Sequence, residues 1–185
     1  MNSRTQVNTL QNITLKTKTL AAAGAVITAI LLPQLLHLCG RALNMDTALG
    51  EIFLPMHLPI MVFGLLMGPW FGVIAGILAP IVSYLITGMP LIHMLPFIIA
   101  EIGAYGLSAG ILGRCSMNIF AKTFICQISG RVAKAICIIM AFYIIKSTNV
   151  SPSIIISSII TGLPGILLQL LIIPAVMRLT GGKRQ

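Results

Sequence analysis

Three ionisable side chains sit where a membrane chain tolerates them least. They are Glu101 in "FIIAEIGAY" and the pair Arg131 and Lys134 in "ISGRVAKAI". A charge inside lipid is costly and marks a functional position by default, with a partner to be named. One carboxylate and two cations at similar depth allow two outcomes. They can neutralise one another and order the helices around them, or one or more can face a polar substrate. On helical spacing Glu101, Tyr105 and Ser108 share a face, and so do Gln127, Arg131 and Lys134 on the next segment. Two polar faces on consecutive helices suggest a cavity rather than a lone ion pair.

Other polar groups could join such a site. His57 lies in "LPMHLP", where Pro55 and Pro59 constrain the backbone and could aim the ring inward. Tyr84, Thr87 and His93 flank "TGMPLIH" and either line the mouth of the site or face interfacial water. Asp46 and Glu51 read as solvated loop residues. The stretch "GLSAG" at 106–110 matches G-x-S-x-G, which in hydrolases presents a nucleophilic serine on a strand-to-helix turn. Here it falls inside an apolar helix, where Ser108 can bond its own backbone instead, so the chain reads as a binding protein and not an enzyme. Cys39, Cys115, Cys126 and Cys137 lack the close spacing of a metal or redox site, and Cys126 and Cys137, three turns apart on one helix, read as small apolar fillers.

The elements that must position these groups follow from composition. The chain has 185 residues, 57% of them hydrophobic, and only twelve basic and three acidic side chains. A soluble domain carries about 25% charged residues, so this is an all-α integral membrane protein. Spans of about 17–25 apolar residues are expected at 20–38, 52–67, 70–87, 91–112, 120–145 and 153–177. Basic residues precede the first run as in a signal peptide, but the small-residue cluster "AAAGA" opens the run instead of closing it, so it reads as a retained helix. The layout is thus a tail at 1–19, a six-helix bundle at 20–177 and a basic tail at 178–185.

With both termini on one face, that face carries Arg4, Lys16, Lys18, Arg114, Lys122, Arg178, Lys183 and Arg184, against Arg41 and Lys146 on the other. Cytoplasmic loops hold the excess of basic residues, which predicts an N-in, C-in bundle. The same asymmetry absorbs most of the +9 charge without a nucleic-acid partner. No nucleotide motif or convincing inverted repeat is visible, so any pumping must be driven by another subunit or an ion gradient.

The stretch "MHLPIMVFGLLMGPWFGVIAGILAPIVSYLITGMP" carries glycine at 64, 68, 72 and 76. Pro69 removes a backbone donor and Gly68 takes turn conformations readily, so two helices meeting at Gly68-Pro69-Trp70 are expected, with Trp70 at the interface. The glycines serve close helix packing. This stretch, with the size and helix number, resembles the substrate-binding S components of energy-coupling-factor vitamin transporters. In that family a Gly-Pro pair turns the second helix into the third, followed by glycines at four-residue spacing.

The resemblance implies capture of a water-soluble vitamin or related micronutrient near the outer face, under the loop joining the first two helices. It implies a prokaryotic cell membrane, a coupling transmembrane subunit and two cytoplasmic ATPases as partners. ATP would be used by those partners, with no cofactor held by this chain. It also points to Ala21, Ala25 and Ala29 as a stripe for docking the coupling subunit. The substrate residues expected on this reading are His57, Tyr84, Thr87, His93, Glu101, Tyr105, Arg131 and Lys134. Two other readings stand beside it: a membrane scaffold whose buried charges pair only with each other, and an intramembrane hydrolase using Ser108.

Overall fold

The computed structural model describes residues 14–42, 44–45, 48–146 and 150–182. Arg4, Asp46, Lys183 and Arg184 lie outside the described residues. The chain forms helices α1 (Leu15–Ala42), α2 (Ala48–Phe53), α3 (His57–Met67), α4 (Pro69–Thr87), α5 (Leu95–Gly113), α6 (Ile119–Tyr143) and α7 (Ser153–Gly182), with no strand among the described residues. Because α2 and α3 share the span Leu49–Met67, six helical segments are long and apolar enough to cross a membrane. Large apolar side chains such as Leu31, Ile125, Ile160 and Leu171 face outward, while Glu101, Gln127 and Gln169 are buried. That distribution suits a lipid solvent.

Several helices outrun the apolar stretches that announce them. α1 begins at Leu15 and ends at Ala42, and α7 continues to Gly182. Residues 15–19, read from the sequence as tail, are therefore helical. The 28 residues of α1 span about 42 Å at 1.5 Å each, against a hydrocarbon core of about 30 Å. Hydropathy marks the lipid boundary, whereas backbone hydrogen bonds carry the helix past it. α5 starts later than expected, at Leu95 instead of 91, after a turn at 91–94. Pro96 fits the first turn of a helix, where its missing N–H has no partner to lose.

α5 is the hub, packed against α3, α4 and α6. Its contact with α4 is backbone on backbone. A Cβ at Gly72 would fall on the Gly106 carbonyl, one at Gly106 on the Gly72 carbonyl, and one at Gly76 on the Ile102 carbonyl. Since the partner number falls as the α4 number rises, the two helices run antiparallel. Lipid gives little hydrophobic drive between helices, so this close approach is what holds them. Between α3 and α4 the chain breaks at Gly68, at φ 98° and ψ 176°. A side chain there would be strained. Gly68 N–H caps α3 on the Gly64 carbonyl at 2.9 Å, and its own carbonyl accepts from Gly72 N–H at 3.0 Å. Trp70 is 74% exposed at this turn.

The second expected span is interrupted. α2 stops at Phe53, Leu54 takes φ 50°, and α3 begins at His57. Pro55 therefore lies in a break and not in a helix as the sequence reading had it. A left-handed conformation costs a non-glycine residue about 1–2 kcal/mol, so the surroundings must compensate. The Leu54 carbonyl accepts from His57 N–H at 3.2 Å and from Gln169 Nε2 on α7 at 3.1 Å.

The alanine stripe on α1 turns inward. Ala29 is fully buried in a cluster with Ile60, Phe63, Ala75 and Ile102, and Ala21 and Ala25 are half-buried against it. In this conformation Ala29 offers no surface to a separate subunit, because α4 and α3 already occupy that face of α1.

Candidate functional site

At the helix break the bundle opens into a cavity of about 540 Å³. Its walls come from the second half of α1, the α2–α3 break, the end of α4 with the following loop, the start of α5, mid-α6 and the start of α7. A pocket of this volume accommodates a small organic molecule. Its location at an unwound point in a membrane helix also follows a physical rule. Irregular backbone at membrane depth survives only where it is buried in protein or lines a cavity.

Glu101 forms the floor, with its side chain 2% exposed. Arg131 Nη1 lies 2.9 Å from its Oε1 and Lys134 Nζ 3.0 Å from its Oε2. The two cations are one helical turn apart on α6, so a single carboxylate can meet both. Tyr105 donates its hydroxyl to Oε1 at 3.4 Å, one turn along α5. His57 Nε2 stands 3.5 Å from the same oxygen, and His57 Nδ1 is 3.1 Å from the Leu54 carbonyl. The imidazole also meets the Tyr105 ring edge-on, with centroids 4.9 Å apart. Tyr105 fits because position 130 on α6 is glycine, where a Cβ would strike the phenol ring.

Five of the expected residues therefore line the cavity: His57, His93, Glu101, Arg131 and Lys134. His93 is exposed at the mouth, and Glu51, read as a solvated loop residue, stands exposed on the same rim. Tyr105 lies beneath the floor, in contact with Glu101 and His57. Tyr84 and Thr87 fall outside the lining, where Ser83 takes the inward place on α4. Each helical step turns about 100°, so Tyr84 points away when Ser83 points in. Thr87 instead accepts from Met89 N–H at 3.2 Å and donates to the Ser83 carbonyl at 2.8 Å. It holds the loop carrying Met89 and Pro90, which do line the site.

Gln34 and His37 on α1, and Ser157, Ser158 and Thr161 on α7, line the cavity without having been singled out. Polar groups at i and i+3 in an otherwise apolar span were the available signal for the first pair. Gln127 shares the Arg131 face as expected but turns to α7, donating to the Ile166 carbonyl at 2.9 Å and to Gln169 Oε1 at 3.3 Å. Gln169 in turn holds the helix break. Replacing Gln169 by alanine removes one of the two acceptors of the Gln127 amide and one of the donors to the Leu54 carbonyl, two hydrogen bonds worth about 0.5–1.5 kcal/mol each. Hydrogen exchange of full-length protein should show faster exchange at 54–57 than in α4, whose amides serve as the internal standard.

Ser108 lies within α5 and donates to the Ala104 carbonyl at 2.7 Å, while Ser129 donates to its oxygen at 2.7 Å. It has none of the strand-to-helix geometry of a nucleophile elbow. Cys39, Cys115, Cys126 and Cys137 are free thiols. Among the described residues no group of three His, Cys, Asp or Glu side chains is arranged to hold a metal ion.

Comparison with known proteins adds no identity: no protein-family model, curated protein or solved structure matches the chain.

Proposed function

We propose that the chain is the substrate-capture component of an energy-coupling-factor-type importer in a prokaryotic cell membrane, with both termini cytoplasmic. On this reading it takes a water-soluble vitamin or related micronutrient from the outer side. A coupling membrane subunit and two cytoplasmic ATPases then complete the transport. The observation that carries the reading is the charged floor of Glu101, Arg131 and Lys134 opening onto a cavity of about 540 Å³. Burying three charges for structure alone is expensive, since an ion pair of this kind often contributes no net stability over apolar packing. The cavity lies at the bundle end away from the Gly68-Pro69 turn, and on the positive-inside assignment that end faces outward.

The mechanism proposed is enclosure. Met56, Ile98, Ile102 and Ile154 supply apolar wall, and the floor charges meet the polar end of the ligand.

A scaffold is the competing reading, because the three charges do contact one another. Exchange of the two residues, Glu101→Lys with Lys134→Glu, separates the two readings. A scaffold keeps its thermal midpoint and its role, whereas the capture component keeps its fold and loses uptake. Affinity purification of the chain from its native membrane should bring down a membrane coupling subunit and two ATPases. Recovery of the chain without them, together with unimpaired uptake in the exchanged variant, overturns the proposal.

A further inference from the structure

We infer that the ligand is a small organic monoanion whose carboxylate is received by Arg131. This rests on the capture reading above and specifies its substrate. The buried floor holds two cations and one carboxylate, since Glu51, the other acid on the lining, is exposed at the rim. His57, His37 and His93 are the remaining titratable groups on the walls, and none of them supplies negative charge. Among the described residues one positive charge is thus left without a buried counter-ion in a low-dielectric site, an arrangement that is costly until an anion arrives.

Glu101 is already crowded. Its Oε1 meets Arg131, Tyr105 and His57, and its Oε2 meets Lys134. Arg131 is the opposite case. Its side chain is 10% exposed, its contact with Glu101 lacks the alignment of a hydrogen bond, and Nε, Nη1 and Nη2 are all buried without a hydrogen-bonded acceptor. A guanidinium presents its donors as a planar fork that matches the two oxygens of a carboxylate. The fork is kept free by Gly162 on α7, where a Cβ would come within 2.7 Å of Arg131 Nη2. Any side chain there would push the guanidinium off its present position.

A single carboxylate suits the single surplus charge, whereas a cationic ligand would add to it. The rest of the molecule is neutral. It meets the isoleucines of the wall and, on α1, two more buried groups without partners, Gln34 Nε2 and His37 Nδ1. These call for hydrogen-bonding groups at the ligand's far end.

The test uses full-length protein in detergent and matched probes that differ only in charge: nicotinate and nicotinamide, pantothenate and panthenol, biotin and biotinamide, with thiamine as a cation. Binding is read by thermal shift and confirmed by titration calorimetry. For a pair that binds, the acid should bind about 30-fold or more tightly than its neutral partner, the factor expected when a buried charge loses its counter-charge. Arg131→Met should remove that preference while Lys134 keeps Glu101 paired. If that variant does not fold, Arg131→Lys keeps the charge, loses the fork and should weaken acid binding. Equal or tighter binding of the neutral or cationic probes, or an acid preference unchanged in the Arg131 variants, overturns the monoanion assignment and leaves capture standing. Failure of every probe to bind counts against both.

Discussion

Replacing Glu101 by glutamine should lower the stability of the protein more than any other single substitution at the site. The change removes the one carboxylate that Arg131 and Lys134 share at 2.9 and 3.0 Å. Two buried cations are then left facing each other, and breaking a buried ion pair from one side costs about 3–5 kcal/mol. For a chain of this length each kcal/mol is worth about 2–4 °C in thermal midpoint, so a fall on the order of 10 °C or more is expected in detergent. Lys134→Gln should cost less, because Glu101 keeps Arg131, and the double variant should recover part of the loss. A Glu101→Gln midpoint within a degree or two of the parent would mean that the charges are not coupled as described.

The second large effect belongs to the α4–α5 junction. Gly106→Ala places a methyl group on the Gly72 carbonyl, and neither partner is a side chain that can swing away. The helices must separate, at a cost of about 3 kcal/mol or more. Gly103→Ala is the matched control, one turn nearer the cavity. Its Cβ would meet only the Ile77 and Val73 side chains, at 3.4 and 3.9 Å, both ordinary contacts. Alanine is also favoured over glycine within a helix by about 0.5–1 kcal/mol. Thermal unfolding of the two variants should therefore diverge, with Gly106→Ala falling and Gly103→Ala holding or rising. Similar losses in both would show that α4 and α5 are not in backbone contact.

The contrast between these glycines shows where sequence reasoning reaches and where it stops. The six apolar spans and the fold at Gly68 were legible because span length and the Gly-Pro pair act locally. The meeting of Glu101 with Arg131 and Lys134 was legible as an option, since depth along a helix can be counted from its ends. Which residues face inward was harder. Tyr84 and Ser83 are adjacent in sequence, and only the packing of α4 on α5 and α1 decides that Ser83 faces the cavity. The same holds for Ala29, whose small side chain suits docking on a second protein or burial in the chain's own core with equal ease. The break at Leu54 was hidden for a different reason. It depends on Gln169, 115 residues away, and on Gly165, where a Cβ would collide with the Ile52 and Phe53 backbone. No local signal reports a partner so distant.

Above all, the proposed function requires the cavity to hold a small molecule. Mass spectrometry of what the freshly purified chain releases on denaturation addresses this directly, with Ser158→Trp as the comparison. Ser158 is a half-buried lining residue on α7, and an indole there fills the space a ligand would need while leaving the floor charges in place. The prediction is a small organic molecule released in near-stoichiometric amount from the parent chain and missing from the equally folded Ser158→Trp protein. Identical release from both, or none from a parent chain purified with its partner subunits in the presence of a vitamin mixture, would contradict the account.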